Sequence, residues 1–189
     1  MRRRSLILAL ATTLVVEACS KSAFERAHVQ AVAQNPAGIE LQIKTMNGSN
    51  KFRAGDLVRF EESYTSRYPG WHIEVLDGWN EASTADEVFV TDGSSIWKAE
   101  EPPLWGFICC NSRHVWLSLD PVRVPYQPTQ HDDIFMANHP GCVLPMRPGR
   151  YNVYITTFRV FERDHAMTTY GGKGIAVTSE NILTVEVVK

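Results

Sequence analysis

The sequence predicts an all-β domain, an antiparallel sandwich, and three observations predict it. From Ile39 onward apolar and polar residues alternate over short segments, as they do where one face of a strand is buried and the other is wet. Gly, Pro, Asn and Asp punctuate those segments at short intervals, which suits hairpins and corners. No helical pattern is long enough to cover a parallel sheet, so the strands are expected to pair as antiparallel neighbours in two layers.

The chain begins ahead of that sandwich. Met1 is followed by Arg2, Arg3 and Arg4 and then by the apolar run Leu6 to Ala11, extended by Leu14, Val15 and Val16, the layout of a secretory leader. The run meets Glu17 before reaching the roughly 20 apolar residues that a membrane span requires. Val16-Glu17-Ala18-Cys19 resembles the lipobox of bacterial lipoproteins, where the leader is cut before a cysteine that carries acyl chains such as palmitate. The resemblance implies a signal peptide over residues 1–18 and a lipidated Cys19 at the mature N-terminus. Glu17 departs from the pattern and leaves cleavage by the ordinary signal peptidase after Ala18 as the alternative. Ser20, where an aspartate would be the retention signal, implies by resemblance to sorting in bacteria with two membranes an outer-membrane destination, facing the periplasm or the cell surface. Residues 19–38 read as a tether, in which Ala23 to Gln34 can form a short helix before Asn35-Pro36-Ala37-Gly38 ends it.

The sandwich is expected over residues 39–189. Ile39, Leu41 and Ile43 alternate with Glu40, Gln42 and Lys44 in a first strand, and Met46 to Asn50 supply a turn. Asp56 to Thr65, carrying Leu57, Val58, Phe60 and Tyr64, form a second strand, and Trp71, Ile73 and Val75 mark a third. Val88 to Val90 form a short fourth, closed by Thr91-Asp92-Gly93-Ser94. Beyond Glu100-Glu101-Pro102-Pro103 come Phe107-Ile108 and the strand Val115 to Leu119. Asp120 to Pro148, with six prolines, is the longest irregular stretch. Arg150 to Phe161 and Ile175 to Val188 are the closing strands.

Pro148-Gly149-Arg150-Tyr151, running into Val153 and Ile155, resembles the corner of immunoglobulin-like and fibronectin type III domains, which implies a Tyr151 hydroxyl bonded back to the corner's backbone. Together with Phe52-Arg53-Ala54-Gly55-Asp56-Leu57-Val58 and Val177-Thr178-Ser179-Glu180-Asn181, this corner is similar to uncharacterised bacterial secreted lipoproteins that carry an immunoglobulin-like β-sandwich. The resemblance spans roughly Ile39 to Val188 and implies the fold, with no chemistry attached. The long irregular inserts Asp77 to Glu87 and Asp120 to Arg147 depart from the compact pattern.

Composition and motifs bound the function. Without its leader the chain keeps about 170 residues, enough for one domain with a sizeable core. The formal charge of −2, with basic residues scattered beyond the leader, argues against nucleic acid as a partner. No second apolar stretch could span a bilayer, so membrane attachment is expected through the several acyl chains on Cys19. No motif implies a cofactor. His131, Asp132, Asp133 and His139 are the right residue types for a divalent metal, but neighbours in an extended loop point in different directions, and a solvated loop explains them better. No Gly-x-Ser-x-Gly elbow is present, and Glu61 and Glu62, adjacent on a strand, face opposite sides and cannot act as a pair. Cys109 or Cys110 with His114 could form a thiol and base pair, yet in an oxidising compartment a disulfide is the expected fate of these cysteines. Lipidation of Cys19 leaves three cysteines, and a bridge from Cys142 to Cys109 or Cys110 avoids the strain of a vicinal ring. Of the tryptophans, Trp71 and Trp116 are expected in the core and Trp79 and Trp105 on an exposed ligand surface.

These readings favour a membrane-tethered, non-enzymatic binding or assembly module of the bacterial envelope, with an envelope protein or a glycan as its partner. The alternatives are a metal-dependent envelope hydrolase using the His131, Asp132, Asp133 and His139 loop, and a protease-inhibitor-like sandwich presenting Asp120 to Arg147. Cys19→Ala should release the protein from membranes, as read by fractionation in high salt. Continued sedimentation of the variant with membranes would refute the lipid anchor.

Overall fold

Period-two alternation becomes two facing sheets in the computed structural model, which describes residues 22–76, 86–99, 112–123, 141–145, 147–162 and 174–189. The elements are α1 (Ala23–Val32), β1 (Ile39–Thr45), β2 (Lys51–Arg53), β3 (Leu57–Ser66), β4 (Trp71–Leu76), β5 (Glu87–Thr91) and β6 (Ile96–Lys98). They continue with β7 (Ser112–Trp116), β8 (Val122–Arg123), β9 (Gly141–Val143), β10 (Gly149–Glu162), β11 (Ile175–Thr178) and β12 (Leu183–Val188). The smaller sheet has the order β1-β3-β8, with β9 also on β3. The larger has the order β2-β12-β10-β4-β7, with β11 and β5 also on β10 and β6 on β5. This is the all-β sandwich expected from the sequence, and its pairs are antiparallel except for the short edge strand β2, which runs parallel to β12.

β10 is the spine of the larger sheet. Along one edge it pairs with β12 from Gly149 to Val153 and then with β11 from Thr156 to Val160. Along the other it pairs with β5 from Asn152 to Thr156 and then with β4 from Val160 to Glu162. A register shift between Thr157 and Val160 turns both Arg159 and Val160 into buried positions, where strict alternation would bury only one. Leu41, Phe60, Tyr64, Ile73, Val75, Ile155, Val160 and Val177 fill the space between the sheets at no more than 1 % exposure. At the start of β10 the Tyr151 hydroxyl donates to the Arg147 carbonyl at 2.7 Å, closing the corner over Pro148 and Gly149.

Several elements differ from their sequence reading. The segment read as one irregular insert begins and ends in strands, since β8 and β9 both pair with β3; residues 124–140 between them lie outside the described residues. The last predicted strand is broken in two at Ser179: β11 and β12 both pair with β10 in the larger sheet, and the turn between them reaches across to β1 of the smaller. Trp116, expected in the core, is 53 % exposed because β7 places it opposite His72 on the outer face of the larger sheet, whereas Trp71 packs half-buried against the core. Within the segment read as a tether, α1 is docked on the sandwich. Ser22 and Glu25 form a reciprocal capping box at its start. Phe24 and His28 are buried, with ring centres 4.9 and 5.0 Å from that of Tyr154 on the outer face of β10. No helix among the described residues is long and apolar enough to cross a membrane.

The break at Ser179 ties these layers together. The Ser179 amide donates to the Ile155 carbonyl while its hydroxyl accepts from the Ile155 amide, so the turn stays on β10. The Glu180 amide donates to Leu41, and the Asn181 side chain bonds both the amide and the carbonyl of Ile43, at 2.9 and 2.8 Å, so the same turn holds β1. His28 Nε2 lies 2.6 Å from the Ser179 carbonyl, and the Asn35 amide group brackets Thr178 from both sides, which fixes α1 and its exit. Asn181→Ala removes two bonds at a part-buried site and should lower stability by about 1–3 kcal/mol. Urea unfolding checks this, and an unchanged midpoint would show that the β1 edge is held by other contacts.

Candidate functional site

Polar chemistry concentrates in three places among the described residues, and access to solvent separates them. The first lies between the sheets. The inward face of β3 reads Val58, Phe60, Glu62, Tyr64, so alternation carries a carboxyl group into the core at a position otherwise occupied by apolar side chains. Tyr64 donates its hydroxyl to Glu62 Oε2 at 2.7 Å, and Glu62 Oε1 has no hydrogen-bond partner. Beside them Arg159, turned inward at the β10 bulge, makes a two-pronged pair with Asp86 through Nε at 3.1 Å and through Nη2. Glu62, Tyr64, Asp86 and Arg159 are all buried. Burial, and then the negative charge of Asp86, push the Glu62 carboxyl up to about 8, against the opposing pull of Arg159 and Tyr64. Burial likewise lifts the Tyr64 hydroxyl well above its usual value. At neutral pH the cluster is therefore an Asp86–Arg159 ion pair beside a neutral Glu62. Glu62 and Tyr64 have no exposed surface, and the cluster's chemistry is that of the folded core.

The second place is a shallow cleft of about 300 Å³ between the end of α1, the start of β1 and the β3–β4 turn, lined by Asn35, Gly38, Glu40, Arg67, Tyr68 and Glu180 among others. Arg67 and Glu40 are already paired at 3.0 Å, and Asn35 already bonds Thr178 and Glu180. The one cation named in its lining, Arg67, is thus already neutralised by Glu40.

The third is the outer face of β4, β7 and the end of β10. Here the register sets His72 opposite Trp116 and Phe161, and Glu74 opposite His114. The His72 ring is tilted against His114 at 4.4 Å between centres, meets Trp116 edge-on at 4.9 Å and stacks with Phe161 at 5.8 Å. His72 is buried, and neither of its ring nitrogens has a hydrogen-bond partner. Burial and the neighbouring His114 lower its pKa below the usual 6.5, with Glu74 acting in the opposite sense, so the ring is neutral at pH 7. Trp116 offers a flat, half-exposed indole beside it.

No family model and no curated protein matches the chain. Among solved structures the chain is similar to one described by the words "AvmM Catalyzes Macrocyclization in Alchivemycin A Biosynthesis", at 9 % identity and a TM-score of 0.33, over 82 % of this chain and 90 % of that one. That likeness is too remote to bear on function.

The residues singled out from sequence are only partly gathered by the fold. Cys19, Trp79, Trp105, Cys109, Cys110, His131, Asp132, Asp133 and His139 lie outside the described residues. Among those described, no group of three His, Cys, Asp or Glu side chains is arranged to hold a metal. Cys142 is a free thiol buried in the core, pushed up to about 12 by burial, and the backbone pairing of β9 with Val58 is what fixes this stretch to the sandwich. Glu61 faces outward to Lys44 at 3.2 Å and Arg123 at 3.4 Å, on the side opposite Glu62. Sequence reading did not single out Asp86 with Arg159, or His72 with Trp116. The inward register of Glu62 was the one available signal for the first group, and cross-strand pairing, which brings the second together, has no local signal.

The buried carboxyl gives a pH dependence whose sign follows from linkage. The fold favours protonated Glu62, so its contribution is complete below the ordinary value of 4.5 and is lost as pH rises through about 8. Between those limits stability should fall by up to roughly 1.4 kcal/mol per pH unit. Glu62→Gln keeps the shape without the ionisation and should flatten the profile, becoming more stable than the wild type near pH 8.5. Urea midpoints at pH 6 and 8.5 decide the matter, and parallel losses in both proteins would place the titration elsewhere.

Proposed function

We propose that the protein is a non-enzymatic binding or assembly module of the bacterial envelope, held to the outer membrane through lipid on Cys19. The outer face around Trp116 is its contact surface. The observation that carries this reading is the half-exposed indole of Trp116 set in a ring cluster on the outer face of the larger sheet. Such a face suits the large, rigid aromatic anchors that dominate binding energy in protein interfaces and offers a stacking surface to a sugar ring. The buried placement of Glu62, Tyr64, Asp86 and Arg159 supports the same reading, because it assigns that titratable cluster to the core. The leader and Cys19 support the envelope location.

Affinity isolation from detergent-solubilised envelopes tests the reading, with Trp116→Ala as the comparison. Because Trp116 also packs on His72, the variant's urea midpoint is measured alongside, so that lost binding is read only from folded protein. Loss of an anchoring indole should cost about 2 kcal/mol of binding, roughly 30-fold in affinity. A partner protein or glycan retained by the wild type and lost from the variant is the expected outcome. Equal retention by both, or no reproducible partner for the wild type, would overturn the assignment.

A further inference from the structure

His72 is the one imidazole among the described residues that is buried with both ring nitrogens unpartnered, at 4 % exposure. A buried polar group is ordinarily hydrogen-bonded, and an orphaned one needs a physical reason, a bound ion or water among them. The register explains which neighbour could share such an ion. With His72 opposite Trp116 and Glu74 opposite His114, the two histidines occupy diagonal positions on adjacent strands and the same face. Diagonal neighbours are about 7–8 Å apart at the backbone, near enough for long side chains to meet. Here the two rings close to 4.4 Å between centres, with their planes 57° apart.

That spacing matches a shared metal. Imidazole nitrogens bind at about 2.0–2.1 Å, so two rings at adjacent coordination positions have centres about 4.5–5 Å apart. We propose that His72 and His114 form a two-imidazole site for a transition-metal ion, Cu(II) by preference, completed by water. Copper leads the divalent first-row metals in affinity for nitrogen ligands and accepts tetragonal nitrogen and oxygen sets, whereas zinc in a structural site expects four protein ligands. Glu74, across from His114, adds a negative charge beside the ion.

Titration of the tag-free protein with Cu(II), followed by calorimetry and electron paramagnetic resonance, tests the site. Among the equivalents taken up by the wild type, one should belong to this site and give a spectrum showing nitrogen coupling from two imidazoles. His72→Phe keeps an aromatic ring in the cluster while removing both nitrogens, and His114→Ala removes the more accessible partner. Each should lose that equivalent, while equivalents held by other histidines persist. If His72→Phe fails to fold, His114→Ala alone decides. No uptake by the wild type, or uptake that His114→Ala leaves unchanged in stoichiometry and spectrum, would overturn the proposal.

Discussion

The turn from Thr178 to Asn181 is the constraint on which the described fold depends. Two sheets facing across an apolar core can slide, because the hydrophobic effect is non-directional and tolerates many registers. Hydrogen bonds from one turn to Ile155 on the larger sheet and to Leu41 and Ile43 on the smaller remove that freedom. The same turn receives His28 from α1 and Asn35 from the helix exit, so the helix docks only where the two sheets are already in register. Asn181 also covers the outer edge of β1, whose amide and carbonyl at Ile43 would otherwise invite another strand. Each bond contributes only about 1 kcal/mol net, but losing the turn would leave several buried groups unpaired at once.

The buried charges work in the opposite sense. Placing Glu62 and Asp86 in one core costs more than apolar residues would, and the arrangement survives because Arg159 neutralises one carboxylate and a proton neutralises the other. The bulge in β10 makes this geometry available, since it turns Arg159 inward next to Val160 without disturbing the pairing of β4. A β10 without the bulge would send Arg159 or Val160 to the outer face, leaving either an uncompensated Asp86 or a hole against Ile73. Local backbone irregularity and core electrostatics are therefore one feature.

What was legible in the sequence was what alternation controls locally. Ile39, Leu41 and Ile43, or Trp71, Ile73 and Val75, announce strands and their buried faces within a few residues. The corner at Tyr151 was legible because proline, glycine and tyrosine occur together in the chain. The fates of Trp116 and Cys142 were not, because they depend on which strand lies opposite: Trp116 is outward because β7 pairs with β4 in that register, and Cys142 is core because β9 pairs with β3. The candidate surface was illegible for the same reason. His72, His114, Trp116 and Phe161 come from three separate strands, and only long-range pairing makes them neighbours.

That pairing also argues for where function resides. The inner faces of both sheets are closed by the core, the edge of β1 is covered by Asn181, and the outer face over Tyr154 and Phe89 is shared by stacking and by α1. The outer face of β4 and β7 is different, because there two uncompensated costs of opposite kind lie side by side. An indole stays half in water when burying it would be favourable, and a buried imidazole keeps both nitrogens unpaired when a single serine or threonine hydroxyl could have bonded one of them. Two unmet demands of opposite chemical character, one for apolar cover and one for a polar partner, meet at a single spot. A ligand or ion that touches both relieves them together, whereas repacking one side chain relieves only one. The places where local rules are broken without internal compensation are those where a fold is shaped for something outside itself, and among the described residues this face is the one that breaks them twice.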